Sequence, residues 1–220
     1  MPVDPYRHTA HLYDLFFEWA TRGLAEVTVG LADLPAHARI LDVGCGTGVL
    51  LALCAERGLR AHGVDPSGAM LDVARRRLGD SADLHRGGGQ HLPFGDGELD
   101  AVFATMVLHE LDPVIRRDTL TEMIRVTRDT GVVAIADYDD GPIRGVWGVI
   151  NRVATTAAEL AAGRDHYAGY RHFKRHGCVP GLVADAPMVI AVQKVVAGGN
   201  LAVHVLRRSQ PPGAVAQAIR

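Results

Sequence analysis

The stretch Ile40-Leu41-Asp42-Val43-Gly44-Cys45-Gly46-Thr47-Gly48-Val49-Leu50, ILDVGCGTGVL, sets three glycines within five residues, behind one apolar run and ahead of another. Residues 39–43, RILDV, are short, apolar and closed by a glycine, the pattern of a buried strand. Residues 47–58 follow with Val49, Leu50, Leu53 and Cys54 on one helical face and Gly58 as the stop. Bare backbone between a strand and a helix lets the chain turn sharply and lie against a ligand. Gly44, Gly46 and Gly48 have the spacing G-x-G-x-G, and Val49 occupies the place where a dinucleotide fingerprint needs its third glycine, which argues against NAD.

Outward from this turn the same cycle repeats. RAHGVD (60–65) reads as a strand and PSGAMLDVARRRLG (66–79) as a helix, with Pro66 in its first turn and Arg75 to Arg77 near the C-terminal end, where the helix dipole favours them. After a glycine-rich loop, LDAVFATMVL (99–108) reads as a strand, DPVIRRDTLTEMIRVT (112–127) as a helix and GVVAIADYD (131–139) as another strand. Alternation of this kind gives a doubly wound α/β fold, a mostly parallel sheet with helices on both faces. Ligands in such sheets sit at the carboxyl ends of the strands. Asp42 lies inside the glycine motif and Asp65 ends the second strand, where a carboxylate can accept both hydroxyls of a ribose. The expected ligand therefore carries a ribose.

Two stretches break the alternation. Residues 1–37 contain HTAHLYDLFFEWATRGLAEVTV, an amphipathic helical pattern that precedes the first strand and forms a cover. Residues 141–180 read as a helical insertion, and PMVIAVQKVVAGGNLAVHVLRR (187–208) as two strands joined at Gly198-Gly199-Asn200, an antiparallel edge hairpin. The organisation expected is one domain over 1–220: the cover at 1–37, a ligand-binding core at 38–140, the insertion on the substrate side at 141–180, and the hairpin and tail at 181–220.

Composition narrows the function classes. With 48% hydrophobic and 22% charged residues and a net charge of -2, the chain is of ordinary globular make-up and has no global pull towards nucleic acid or anionic membrane. A start rich in prolines and charges, and no apolar window near the roughly 18 residues of a membrane span, lead to a cytoplasmic expectation. Cys45, Cys54 and Cys178 are odd in number and unpaired in spacing, so no disulfide framework or zinc knuckle is expected.

At LDVGCGTG, GVDPSGAML, LPFGDGELDAVFATMVLHEL and TRDTGVVAIADY, four motifs in order between about Arg39 and Tyr138, the chain resembles the class I S-adenosylmethionine-dependent methyltransferases, and among them the quinone-biosynthesis group. The resemblance implies a seven-stranded Rossmann-like sheet and a site for S-adenosylmethionine, released as S-adenosylhomocysteine. It implies that the turn Gly44, Cys45, Gly46 and Gly48 holds the methionine moiety, that Asp65 takes the ribose with Pro66 beside it, and that Met70 packs on the adenine. Thr105 and Met106 would lie near the sulfur, Asp42, Gly89 and Gln90 would complete the cofactor site, and Tyr13 would belong to a lid. One departure is plain: in RGGGQHLPF, Gly88 stands where the group carries an aspartate for the adenine amino group.

The remaining constellations bear on the acceptor. HEL at 109–111 is no zincin motif, because Pro113 replaces the second histidine. In DHYAGYRHFKRH (165–176), His172 and His176 have a spacing that can hold a metal, but no carboxylate or cysteine is spaced to complete a set, and no metal is expected. A general base is needed only if the acceptor must lose a proton. The candidates are His109, His166, Tyr167 and Asp137, and Tyr13, Phe17, Trp147, His166, Tyr167, Tyr170 and His172 are expected to wall the acceptor between cover and insertion. The motif of DNA adenine methyltransferases is replaced by ATMVLH, so the expected acceptor is a small molecule, not nucleic acid. The alternatives are a module that binds S-adenosylmethionine without turnover and an NAD-type oxidoreductase.

Overall fold

The computed structural model describes the backbone of residues 10–209 and the side chains of residues 21–164 and 166–209. Seven strands form one sheet: β1 (Arg39–Val43), β2 (Arg60–Asp65), β3 (Ala82–Arg86), β4 (Leu99–Thr105), β5 (Thr127–Tyr138), β6 (Met188–Val196) and β7 (Leu201–Arg208), in the spatial order β3-β2-β1-β4-β5-β7-β6. The first five pair in parallel, and β7 enters antiparallel between β5 and β6. Strand order reverses between β1 and β4, which makes the carboxyl ends of those two strands the crevice where such folds place a ligand.

The central strands are apolar on both faces because helices cover both. Ile40, Ala101, Phe103 and Ala134 face a layer formed by α1 (Ala10–Ala32), α2 (Val49–Glu56) and α3 (Gly68–Leu78). One residue along, Leu41, Val102, Val133 and Ile135 face α4 (Pro113–Val126) and the insertion. This period-two division is what the strand pleat requires. Helix starts follow local chemistry: the Ser67 hydroxyl accepts the Met70 N–H at 3.1 Å, and Asp112 accepts the Val114 N–H at 2.9 Å with Pro113 in first place. Pro66 thus precedes the cap of α3 and is not in its first turn.

The insertion is helical, as α5 (Gly145–Ala162), α6 (Arg164–Arg175) and α7 (Cys178–Val183). Three boundaries differ from the sequence reading. Strand β3 lies within 80–86, a stretch in which no strand was read. Strand β4 stops at Thr105, because Met106 takes φ +57 and Leu108–Glu110 close into a 3-10 turn, so the apolar residues Val107 and Leu108 are not strand. Strand β5 begins at Thr127, pairing with Leu99 across a register shift. The hairpin turn is a short 3-10 segment, Ala197–Gly199, with Gly198 at φ +65. No helix of the described residues is long and apolar enough to cross a membrane.

Candidate active site

The turn after β1 is held by two N–H groups, those of Gly44 and Cys45, donating to the Val64 carbonyl on β2 at 2.8 and 3.2 Å. Its three glycines all have positive φ, but they do different work. A Cβ at Gly44 would strike the Val107 side chain, and one at Gly48 would strike Leu78 and Ala74 of α3. A Cβ at Gly46 would meet nothing within 4 Å. Gly46 is therefore the place where bare backbone faces open space, and Gly48 serves helix packing.

That open space is a cavity of about 380 Å³ at the carboxyl ends of β1, β2 and β4. It brings together Asp42, Gly44, Cys45, Gly46, Asp65, Pro66, Met70, Gly89, Gln90, Thr105 and Met106 from the residues expected on sequence. Gly48 stands outside its wall, for the packing reason just given. The Tyr13 and Phe17 side chains lie outside the described residues; α1 reaches the cavity with Thr21 and Ala25.

No lysine or arginine lines this cavity among the described residues, whereas three carboxylates do: Asp42, Asp65 and Glu110. Asp65 is fixed by accepting the Gly46 N–H at 2.9 Å and the Ser67 N–H at 2.8 Å, one on each oxygen. Asp42 is 3% exposed and its Oδ1 has no hydrogen-bond partner; burial, and then the charge of Asp65, push its carboxyl well above the usual range. Thr105 and Thr119 each present a buried hydroxyl without a partner at the same wall. A buried acid with no internal partner is costly unless a ligand supplies one. The donor set thus fits a ligand with a cationic group and several hydroxyls, and S-adenosylmethionine is such a ligand. Beside it, the Gln90 amide fills the space a side chain at Gly88 would take.

The 3-10 turn Leu108–Glu110 closes the cavity on the β4 side and is gripped from two directions. Asp137 Oδ2 accepts the N–H groups of Leu108 and His109 at 3.0 and 3.2 Å. Arg116 of α4 donates to the carbonyls of Leu108, His109 and Leu111 at 2.5, 3.1 and 2.7 Å. Behind the turn lies a buried ionic network. His109 Nδ1 meets Asp137 Oδ1 at 2.7 Å, the Tyr138 hydroxyl donates to Glu159 at 2.8 Å, and His166 lies between Glu159 at 2.9 Å and Glu110 at 3.3 Å. Burial pulls His109 down, but Asp137 and the two glutamates outweigh it and the net direction is up. His166 is raised to about 10, first by Glu110 and then by Glu159.

These contacts correct the acceptor-side expectations. His109 and Asp137 are 2% and 0% exposed, are bonded to each other and do not line the cavity. Tyr167 packs on the core, with Tyr170 beside it at 6.1 Å between ring centres. Trp147 is 74% exposed, and His172 lines a different cavity. No described residue of the insertion is in the wall; its helices contact the turn from behind, through His166 and Glu159. The sequence reading missed Glu110, Thr119 and Ile115. Thr119 and Ile115 are four apart on α4 and so share a helix face, a signal that was present in the sequence.

A family model for a methyltransferase domain matches residues 40–131. The chain is 27% identical over 202 residues to the demethylmenaquinone methyltransferase of Paenarthrobacter aurescens, covering 87% of this chain and 77% of that protein. It is 30% identical over 156 residues to the malonyl-[acyl-carrier protein] O-methyltransferase of Serratia marcescens, covering 69% of this chain and 60% of that one. Several further curated relatives are matched over only 39 to 54% of their length. Among solved structures, a SAM dependent methyltransferase from Aquifex aeolicus superposes with a TM-score of 0.58 at 18% identity, covering 83% of this chain and 88% of that chain, which shows a shared fold.

Proposed function

The chain is a class I S-adenosylmethionine-dependent methyltransferase, and from that premise we propose that it methylates a small-molecule acceptor held at the mouth of the cavity beside Glu110, Leu111 and Ile115. The observation that carries this reading is the wall itself. Past Thr105 and Met106 it continues into Val107, Leu111 and Ile115 with one carboxylate, Glu110, among them. Apolar surface with a single convergent polar group is the usual make-up of a small-molecule pocket. Two relatives are named for demethylmenaquinone and for malonyl-[acyl-carrier protein] as methyl acceptors. The domain limits expected on sequence belong to the same proposal, with the insertion assigned to supporting the site from behind.

In this reading the residues have distinct duties. The turn Gly44 to Gly46 lies against the methionine moiety, with Asp42 opposite its cationic groups. Asp65 accepts the ribose hydroxyls, Met70 packs on the adenine, and the Gln90 amide takes the place of the missing acid at 88. When bound, S-adenosylmethionine supplies an electrophilic methyl group and leaves as S-adenosylhomocysteine. The chain's part is mainly orientation, which in well-positioned reactions accounts for about 7 to 11 kcal/mol of the barrier. Among the described residues Glu110 is the one titratable cavity group outside the cofactor end, so it is the proton acceptor for an acceptor that must lose a proton, and His166 holds it in place from 3.3 Å.

The test is transfer from methyl-labelled S-adenosylmethionine into a bacterial metabolite extract, with nucleic acid and protein fractions assayed in parallel. Label in an extractable small molecule, lost with Asp65→Ala, is the expected result. Label confined to nucleic acid or protein refutes the small-molecule assignment, and cofactor binding without transfer to any fraction favours a non-catalytic module.

A further inference from the structure

A second cavity, of about 420 Å³, lies between α4, α6 and α7. Helix α4 separates it from the cofactor site: Ile115 and Thr119 face the first cavity, and Arg116, Arg117 and Leu120 face the second. We propose that this second cavity binds an amphiphilic phosphate monoester, with the phosphate at Arg116, Arg117 and His172, which His176 stacks on and positions, and the apolar body against Leu120, Phe173 and Leu182. The proposal goes beyond the methyl-transfer reading and does not depend on it.

The argument starts with Arg116. It is 3% exposed, yet its Nε and Nη2 partners are carbonyl oxygens, those of Leu108, His109, Leu111 and Gly169, and none of the ion pairs among the described residues includes it. Asp137 and Asp112 act on it only at longer range. Its remaining nitrogen, Nη1, meets only His172 Nδ1, at 3.4 Å. A guanidinium cannot lose its proton in a protein, and carbonyl dipoles do not neutralise it. A buried cation without a counter-ion, at the wall of an accessible cavity, is a place where an anion gains more than it does in water.

Two further groups of the wall offer donors, Arg117 and His172. His172 Nδ1 faces a guanidinium, which has no lone pair, so Nδ1 accepts and the ring proton sits on Nε2. His176 Nδ1 donates to the His172 carbonyl at 2.8 Å, which spends its ring proton within the protein and leaves the ring to position His172. The two rings stack at 3.9 Å between centres, and Arg117 stands beside them without an ion pair among the described residues. Among the described residues Asp185 is the one acid of the wall, against two arginines. Two guanidinium groups and the His172 Nε2–H at one end exceed what a carboxylate can use and suit the three oxygens of a phosphate monoester. Apart from Thr121 and Cys178 the rest of the wall is apolar, which suits a hydrocarbon body rather than a bare ion.

The experiment is calorimetric titration of octyl phosphate into the full-length protein, alone and saturated with S-adenosylmethionine, with octanol as the neutral control. Saturable one-to-one binding is expected, unchanged by S-adenosylmethionine within threefold and absent with octanol. Substitution of Arg116 would break four carbonyl contacts and so reports on folding; Arg117→Glu and His176→Ala are exposed positions. Each is expected to weaken octyl phosphate at least tenfold while leaving S-adenosylmethionine affinity within twofold. No saturable binding, competition with S-adenosylmethionine, equal binding of octanol, or unchanged affinity in both variants would each overturn the proposal.

Discussion

His166→Gln offers a test of the ionic network that does not require a known substrate. In the folded chain His166 is held at about 10 by Glu110 and Glu159, against 6.5 for an ordinary histidine. Because the folded value is the higher one, the ion pairs contribute fully below about pH 6.5, and the contribution is lost as pH rises towards 10. The unscreened displacement corresponds to about 4–5 kcal/mol. The His166 side chain is 25% exposed, and solvent screening reduces this to about 2–3 kcal/mol. For a domain of this size that is about 5–10 °C in melting temperature. Differential scanning of wild type and variant from pH 6 to pH 9.5 should show a gap of that size at pH 6 that shrinks to within about 2 °C at pH 9.5. Comparing the two proteins at each pH cancels the other titrating groups. A gap that stays constant across the range would mean that the histidine contributes packing and not charge, and the assigned network would be wrong.

Asp42→Asn should weaken S-adenosylmethionine about ten- to a hundredfold by calorimetry while raising the melting temperature of the ligand-free protein, since it removes a buried carboxylate whose Oδ1 has no partner. Asp65→Ala should weaken the cofactor to a similar degree but lower the melting temperature, because the Gly46 and Ser67 N–H groups lose their acceptors; equal stability changes in the two variants would refute the distinction. Gly46→Ala meets no protein atom within 4 Å but forces an alanine to φ +52, so a loss of about 1–2 kcal/mol in stability should accompany a larger loss of cofactor affinity; normal binding would show that the turn is not a contact surface. Gly88→Asp must displace the Gln90 amide, and if Gln90 serves the adenine the new acid should restore or improve affinity; a loss beyond tenfold would place Gln90 elsewhere.

The parts of this molecule that a sequence reader finds are those where one short pattern has one structural meaning. A glycine cluster behind RILDV cannot lie in the middle of a strand or helix without cost, so it marks the turn, and the strands on either side are apolar because both faces are covered. Strand β3, ADLHR, had no such pattern: it is an edge strand, its residues are half-buried or exposed, and its polarity matches that of a loop. The end of β4 misled for the opposite reason. Val107 and Leu108 continue the apolar run, but hydrophobicity reports burial and not extension, and the chain leaves the strand at Met106.

The catalytic side was read least well because its geometry is set by one turn. His109 and Glu110 are neighbours in sequence, and a 3-10 turn sends the first into the core, against Asp137, and leaves the second at the cavity. Nothing in HEL states which of the two faces the ligand. That choice is made by Asp137 taking the N–H groups of the turn and Arg116 taking its carbonyls, two residues 21 apart in number that bind opposite sides of the same peptide groups. The insertion then completes the arrangement from behind: Glu159 on α5 fixes His166 on α6, and His166 meets Glu110. Among its described residues the insertion places no side chain in the cavity wall, yet it contacts Glu110 from behind. Variants of Glu159 and His166 are expected to alter turnover through the placement of Glu110, where a purely structural segment would alter stability alone.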